Sequence, residues 1–128
     1  MKKKIPEKKD AVRLEQLLAQ LKQNLVLVEG KRDKAALEAL GCKDVIAVAG
    51  RKNQLREIIS AKKVVVATDL DAAGNELAAL IRGELEGSSS VDCETRVLLA
   101  RLLQMRYFED AKRKYKEFYE RLNENRGE

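Results

Sequence analysis

The sequence predicts an α/β protein, a parallel sheet of about four strands flanked by helices and followed by a helical C-terminal extension. Three observations carry this. Short runs of β-branched and aliphatic residues, "LVLV", "VIAVA" and "VVVA", recur along the chain without the alternation of a half-exposed strand. Such unbroken runs are the mark of strands buried on both faces. Segments with helical spacing separate them, and the only proline is Pro6.

The elements follow in order. "AVRLEQLLAQLKQ" puts Leu14, Leu17, Leu18 and Leu21 on one face of a helix. "NLVLVEGKRD" gives a first strand, Leu25 to Val28, that ends at Glu29-Gly30. "DKAALEALG" reads as a helix stopped by Gly41, and "DVIAVAG" as a second strand ending at Gly50. "NQLREIISA" is again helical; "VVVAT" is the third strand, leading into "NELAALIRGELEG", a helix broken near Gly87. "SSSVD" is expected to form a short fourth strand, with serines suited to an edge and Val91 pointing inward. From Glu94 onward the chain reads as one long helix or two in sequence. Val97, Leu98, Leu102, Met105, Phe108, Ala111, Tyr115, Phe118 and Leu122 are expected to line its apolar stripe. The expected organisation is a basic flexible tail over 1–10, a domain over 11–92 that includes the first helix, and a helical extension over 93–128. That extension packs on the domain, on a second copy of the chain or on another protein partner.

Composition narrows the function classes. The 128 residues are 45% hydrophobic and 37% charged, the size of one ordinary domain. No segment reaches the roughly 18 consecutive apolar residues that cross a membrane, and the N-terminal lysines lack the apolar run of a signal peptide, so a cytoplasmic protein without membrane contact is expected. There is no histidine. Ser-His-Asp and Cys-His nucleophiles, imidazole bases and histidine metal sites are therefore excluded. Cys42 and Cys93 are far apart and outside any Cys-x-x-Cys, which argues for two reduced thiols rather than a zinc site or a disulfide. The net charge of +5 is concentrated in the first ten residues, where five lysines face Glu7 and Asp10. Such a tail is either a solvated end or an electrostatic contact for phosphate backbones.

The chemistry concentrates at the strand ends. In an open parallel sheet, ligands bind beyond the carboxyl ends of the strands. Glu29 ends the first strand; Asp69 follows the third, with Asp71 two residues later. If those strands are neighbours, three carboxylates converge, and they repel unless protons or a cation neutralise them. Oxygen-only ligands favour Mg²⁺ or Mn²⁺. The competing reading is that the aspartates before "AAGNELAALI" cap the following helix. Asp33 likewise either caps the helix after Glu29 or joins the metal ligands.

"LVLVEGKRD" followed about forty residues later by "VVVATDLDAAG" resembles the Toprim domain, shared by topoisomerases of types IA and II, bacterial-type primases, OLD-family nucleases, recombination mediators and small ribosomal-RNA maturases. Glu29, Asp69 and Asp71 fall on the three acidic positions of its signature, and the likeness spans about Leu25 to Val91. Glu29-Gly30-Lys31-Arg32-Asp33 is similar to the EGxxD pattern of primases and maturases, and Asp69 to Gly74 to the primase form DxDxAG. Ala73 stands where type II topoisomerases carry a third acid, which speaks against a second metal held in their manner. The resemblance implies a compact Rossmann-like parallel sheet, a Mg²⁺ (or Mn²⁺) site at Glu29, Asp69 and Asp71, and phosphodiester chemistry on RNA or DNA.

The resemblance leaves the chain closest to small stand-alone Toprim proteins. A primase would carry a further catalytic subdomain, a topoisomerase a separate tyrosine domain, and an rRNA maturase an additional RNA-binding region. Under this reading Glu29 shares the metal shell or acts as general acid or base, assisted by Lys31. Lys31 and Arg32, with Arg51, Lys52 and Asn53 after the second strand, contact nucleic-acid phosphates, and the loop glycines Gly30 and Gly74 let the main chain approach the substrate. The alternative is a non-catalytic module that binds nucleic acid or joins a complex through the same acidic site.

Overall fold

The computed structural model describes residues 5–126. Its order is α1 (Lys8–Lys22), β1 (Leu25–Val28), α2 (Lys31–Ala39), β2 (Val45–Ala47), a 3₁₀ turn (Lys52–Gln54), α3 (Leu55–Ile58), β3 (Lys63–Val66), α4 (Ala72–Leu85), β4 (Ser90–Asp92), α5 (Thr95–Leu103), a second 3₁₀ turn (Phe108–Asp110) and α6 (Ala111–Arg126). The sheet order is β2-β1-β3-β4, and every pair is parallel. Leu25 pairs with Val64 and Leu27 with Val66, so β1 and β3 run side by side at the centre and end together. Among the described residues no helix is long and apolar enough to cross a membrane. Cys42 is buried, Cys93 is half-buried, and both are free thiols.

The unbroken apolar runs are sorted by the pleat into two cores. Val26, Val28, Val45, Val65 and Ala67 face one side, where α1, α2, α5 and α6 cover them. Leu25, Leu27, Val48, Val64 and Val66 face the other, against Leu55 and Ile59 beside α3 and Leu77, Ala78, Ile81 and Leu85 of α4. Alternate residues of one strand thus serve different cores, which is why Leu25 to Val28 and Val64 to Val66 are apolar at every position.

The N-terminal boundary differs from the expected flexible tail over 1–10. Pro6 and Asp10 are buried and α1 already begins at Lys8. The Asp10 carboxylate accepts from the Glu7 N–H at 2.9 Å and closes a capping box there. Lys8 and Lys9 therefore belong to the helix, while residues 1–4 lie outside the described residues.

The C-terminal segment is two helices. α5 stops at Gln104, whose φ of 54° is left-handed, and the Met105 N–H turns back to Ala100 O at 3.0 Å. The apolar stripe is also rotated on α5: Leu99, Ala100 and Leu103 are the buried residues, whereas Val97, Leu98 and Leu102 are only half-buried. α5 packs against α1 and β3, and α6 against α2 and α5, so both helices complete the core of the sheet itself. The Glu15 carboxylate of α1 accepts from the Tyr115 and Tyr119 hydroxyls of α6.

Candidate metal centre

Because β1 and β3 are neighbours in register, their carboxyl ends deliver Glu29 and Asp69 to the same edge of the sheet. The Ala67 N–H donates to Leu27 O at 2.8 Å, keeping the strands paired up to that edge. Glu29 is exposed there, and its carbonyl accepts from the Ala49 N–H at 2.9 Å, which ties the loop after β2 alongside. Gly30 then caps α2, with the Asp33 Oδ2 accepting from the Gly30 N–H at 3.0 Å. Asp33 thus takes the capping role, on the inner side of the acidic cluster.

The Asp69-Leu70-Asp71 loop is held by its backbone and its acids alike. Asp69 Oδ1 accepts from the Phe108 N–H at 2.8 Å, and Asp71 Oδ1 from the Gly74 N–H at 2.7 Å as the N-cap of α4. Capping by Asp71 and metal binding are therefore not alternatives: each aspartate spends one oxygen on a backbone N–H and keeps Oδ2 free of hydrogen bonds from the described residues. The Thr68 hydroxyl donates to Gly74 O at 2.7 Å, and the Leu70 N–H to Arg106 O at 2.8 Å.

The acids share one electrostatic field. Burial, then the charges of Asp33, Asp71 and Glu29, pushes the Asp69 carboxyl above the usual carboxylate range, with the Phe108 N–H pulling the other way. Burial also raises Asp33, reinforced by Glu109 and Glu29 and opposed by the Gly30 N–H. Both shifts arise first from burial and then from the neighbouring negative charges. Among the described residues, no three carboxylate or thiol side chains are already drawn together as a closed ligand set. A pair of half-engaged aspartates beside an exposed glutamate fits a hard divalent ion that takes one or two carboxylates and keeps water for the rest.

The cationic residues expected around the acids are all exposed. Lys31 and Arg32 open α2 directly after Glu29; Arg32 Nη1 lies 3.9 Å from the Glu109 carboxylate. Arg51, Lys52 and Asn53 follow β2, the strand beside β1, and are exposed on that flank. The glycines divide. Gly30 has room, its nearest neighbour to an added Cβ being Asp33 Oδ2 at 3.9 Å. Gly74 is buried, and a Cβ there would overlap the Asp69 backbone. The glycine thus lets the Asp69 backbone approach closely.

Sequence reasoning missed Arg96. Its side chain is 5% exposed and donates from Nε to Thr68 O at 3.0 Å and from Nη2 to Asp69 O at 2.9 Å and Asn75 Oδ1 at 2.6 Å. The signal was present: Arg96 stands three, four and seven residues before Leu99, Ala100 and Leu103, on the buried face of α5. The Phe108 N–H and Arg106 carbonyl gave no signal, because a main-chain group is independent of residue type.

A family model for the Toprim domain matches residues 23–95, more than half of the chain. A UPF0292 protein of Pyrococcus furiosus is 32% identical over 105 residues, covering 78% of this chain and 77% of that one. A UPF0292 protein of Thermococcus onnurineus is 38% identical over 97 residues, covering 70% and 72%. Among solved structures, a putative protein from Aquifex aeolicus superposes with a TM-score of 0.67 at 27% identity, covering 76% of this chain and 96% of its own. The matched stretch begins just before β1 and runs to the start of α5, carrying both acidic strand ends with it, and on that ground the chain belongs to the Toprim domain family.

Proposed function

We propose that this Toprim module is a Mg²⁺- or Mn²⁺-dependent enzyme that cleaves or transfers phosphodiesters of RNA or DNA. The observation that carries the reading is the half-engaged state of Asp69 and Asp71, each fixed by one backbone N–H with its second oxygen free of hydrogen bonds from the described residues, beside Glu29 at the adjoining strand end. Asp69 and Asp71 hold the cation, with Glu29 sharing its shell. A divalent ion held by these residues would supply charge neutralisation at a phosphate oxygen. Glu29 is exposed and moves a proton to or from the reacting oxygen. Lys31 and Arg32, and across the edge Arg51 and Lys52, pair with the flanking phosphates and orient the strand.

A second reading has its own observation. No hydrogen bond or ion pair among the described residues orients the Glu29 carboxylate, whereas a general base is ordinarily held in place. Under that reading the module binds nucleic acid, or joins a complex, without turnover.

The test is single-turnover cleavage of single-stranded, double-stranded and structured RNA and DNA with Mg²⁺, Mn²⁺ or EDTA, with binding measured in parallel. Glu29→Gln is expected to slow cleavage by about two orders of magnitude while leaving affinity equal or tighter. The Asp69→Asn, Asp71→Asn double variant is expected to lose calorimetric Mn²⁺ binding. Cleavage unchanged in Glu29→Gln would remove the role given to that residue, and binding without cleavage across the panel would establish the second reading.

A further inference from the structure

We propose that Arg96 is a positioning residue that presets the Asp69-Leu70-Asp71 loop for its cation, so that the C-terminal helices form part of the acidic site. The inference rests on the metal reading above. Arg96 is the most conspicuous polar group in the core, on α5, just beyond the stretch matched to the family. A buried guanidinium is tolerated only when its donors are satisfied. Here Nε and Nη2 donate to the carbonyls of Thr68 and Asp69 and to the side chain of Asn75, not to a carboxylate. That choice of partners is the informative part. An arginine paired with Asp69 or Asp71 would occupy the oxygens a cation needs. Arg96 instead grips the loop from its carbonyl side and leaves those oxygens free.

The opposite side of the loop is fixed by the connector between α5 and α6, through the Phe108 N–H on Asp69 Oδ1 and the Arg106 carbonyl on the Leu70 N–H. The loop is thus clamped between α5 and its own outgoing turn. Two aspartates in one field would otherwise spread apart, and a divalent ion would have to gather them as it bound. Fixing them during folding removes that cost from the binding step, the same advantage that outer partners give to metal ligands generally.

Charge and position predict opposite signs, which makes the proposal testable. If Arg96 acted only as a nearby positive charge, replacing it with a neutral residue would tighten cation binding. If it positions the loop, the same change weakens binding. Mn²⁺ affinity by calorimetry and amide hydrogen exchange of the metal-free protein are measured for the unaltered chain, Arg96→Met, Arg96→Lys and Asn75→Ala. Arg56→Ala serves as control, because Arg56 also donates to carbonyls, those of Glu84 and Glu86, on α3 far from the acids. Arg96→Met and Arg96→Lys are expected to bind Mn²⁺ about ten- to a hundredfold more weakly, and to exchange the Leu70 and Phe108 amides faster. Asn75→Ala should move both readouts in the same direction by less, and Arg56→Ala neither. Equal or tighter Mn²⁺ binding by Arg96→Met, with unchanged exchange at Leu70 and Phe108, overturns the proposal. If the Arg96 variants do not fold, unchanged affinity and exchange in Asn75→Ala overturn it. If the unaltered chain takes up no Mn²⁺, the metal reading falls and the exchange rates alone decide whether Arg96 fixes the loop.

Discussion

At Gly74 a hydrogen atom in place of a methyl group decides the shape of the acidic loop. A Cβ at this position would overlap the Asp69 backbone, whose carbonyl is one of the Arg96 acceptors. Gly74→Ala is therefore expected to lower stability by about 1–3 kcal/mol, the range for forcing extra volume into a filled site, and to weaken Mn²⁺ binding as Asp69 shifts. Gly83, nine residues later in the same helix, has nothing within 4 Å of an added Cβ. Gly83→Ala should stabilise by roughly 0.4–1 kcal/mol through the unfolded chain and better helix propensity, without touching metal affinity. Denaturant melts and calorimetry of the two variants check both signs. A stable Gly74→Ala with full Mn²⁺ affinity would show that the loop does not need this close approach. At this scale the acids were legible, since a carboxylate ending an apolar run announces itself. Their supports were not: Arg96 and Phe108 reach Asp69 from 27 and 39 residues away.

Between elements, the junction of β4 with α5 has the clearest chemistry. Asp92 Oδ1 accepts from the Glu94 N–H at 2.9 Å and the Thr95 N–H at 3.0 Å, and Oδ2 from the Thr95 hydroxyl at 2.6 Å. This carboxylate closes the first turn of the helix that carries Arg96. Burial pushes the Asp92 carboxyl up, but the Thr95 and Glu94 hydrogen bonds and the nearby Lys63 outweigh it and hold it below its ordinary value of 3.8. A carboxyl depressed by folding stabilises above its unfolded value and loses that contribution as pH falls through the folded one. Asp92→Ala is expected to cost about 1 kcal/mol near neutral pH, the usual worth of such a cap, and the gap to the unaltered protein should close in acid below 3.8. A gap independent of pH would assign the loss to packing. The "SSSVD" strand was readable from its residues. The division of the C-terminal segment was not, because its break is a left-handed glutamine, a residue with no special preference for that conformation. The start of α1 was legible in principle from Glu7 and Asp10, but the lysines around them suggested a solvated end.

For the molecule as a whole, the parallel α/β class was legible because strands covered on both faces leave continuous apolar runs. The neighbour relation of β1 and β3 could only be supposed, since strand order depends on long crossovers that leave no local trace. The structure also shows what the family-matched stretch lacks. Residues 23–95 contain neither α1, α5 nor α6, which together cover much of one sheet face. A chain ending at Glu94 would leave Val26, Val28 and Val65 facing water along with the leucines of α1. It is expected to show no cooperative heat-absorption peak and to bind a hydrophobic dye. A sharp calorimetric transition in the shortened chain would show that α5 and α6 are accessory to the fold.

The packing of α1 on α5, with its Glu15 tied to the tyrosines of α6, sets an order of events in synthesis. Among the described helices, α1 is made well before α5 and α6, the partners that cover it. While the strands are still being made, Leu14, Leu17, Leu18 and Leu21 have no permanent cover, and they acquire it only when Leu99, Leu103, Phe118 and Leu122 have emerged. The leucine stripe of α1 is therefore fully covered only after all four strands have been made, and a chain interrupted before α5 is expected to leave it exposed.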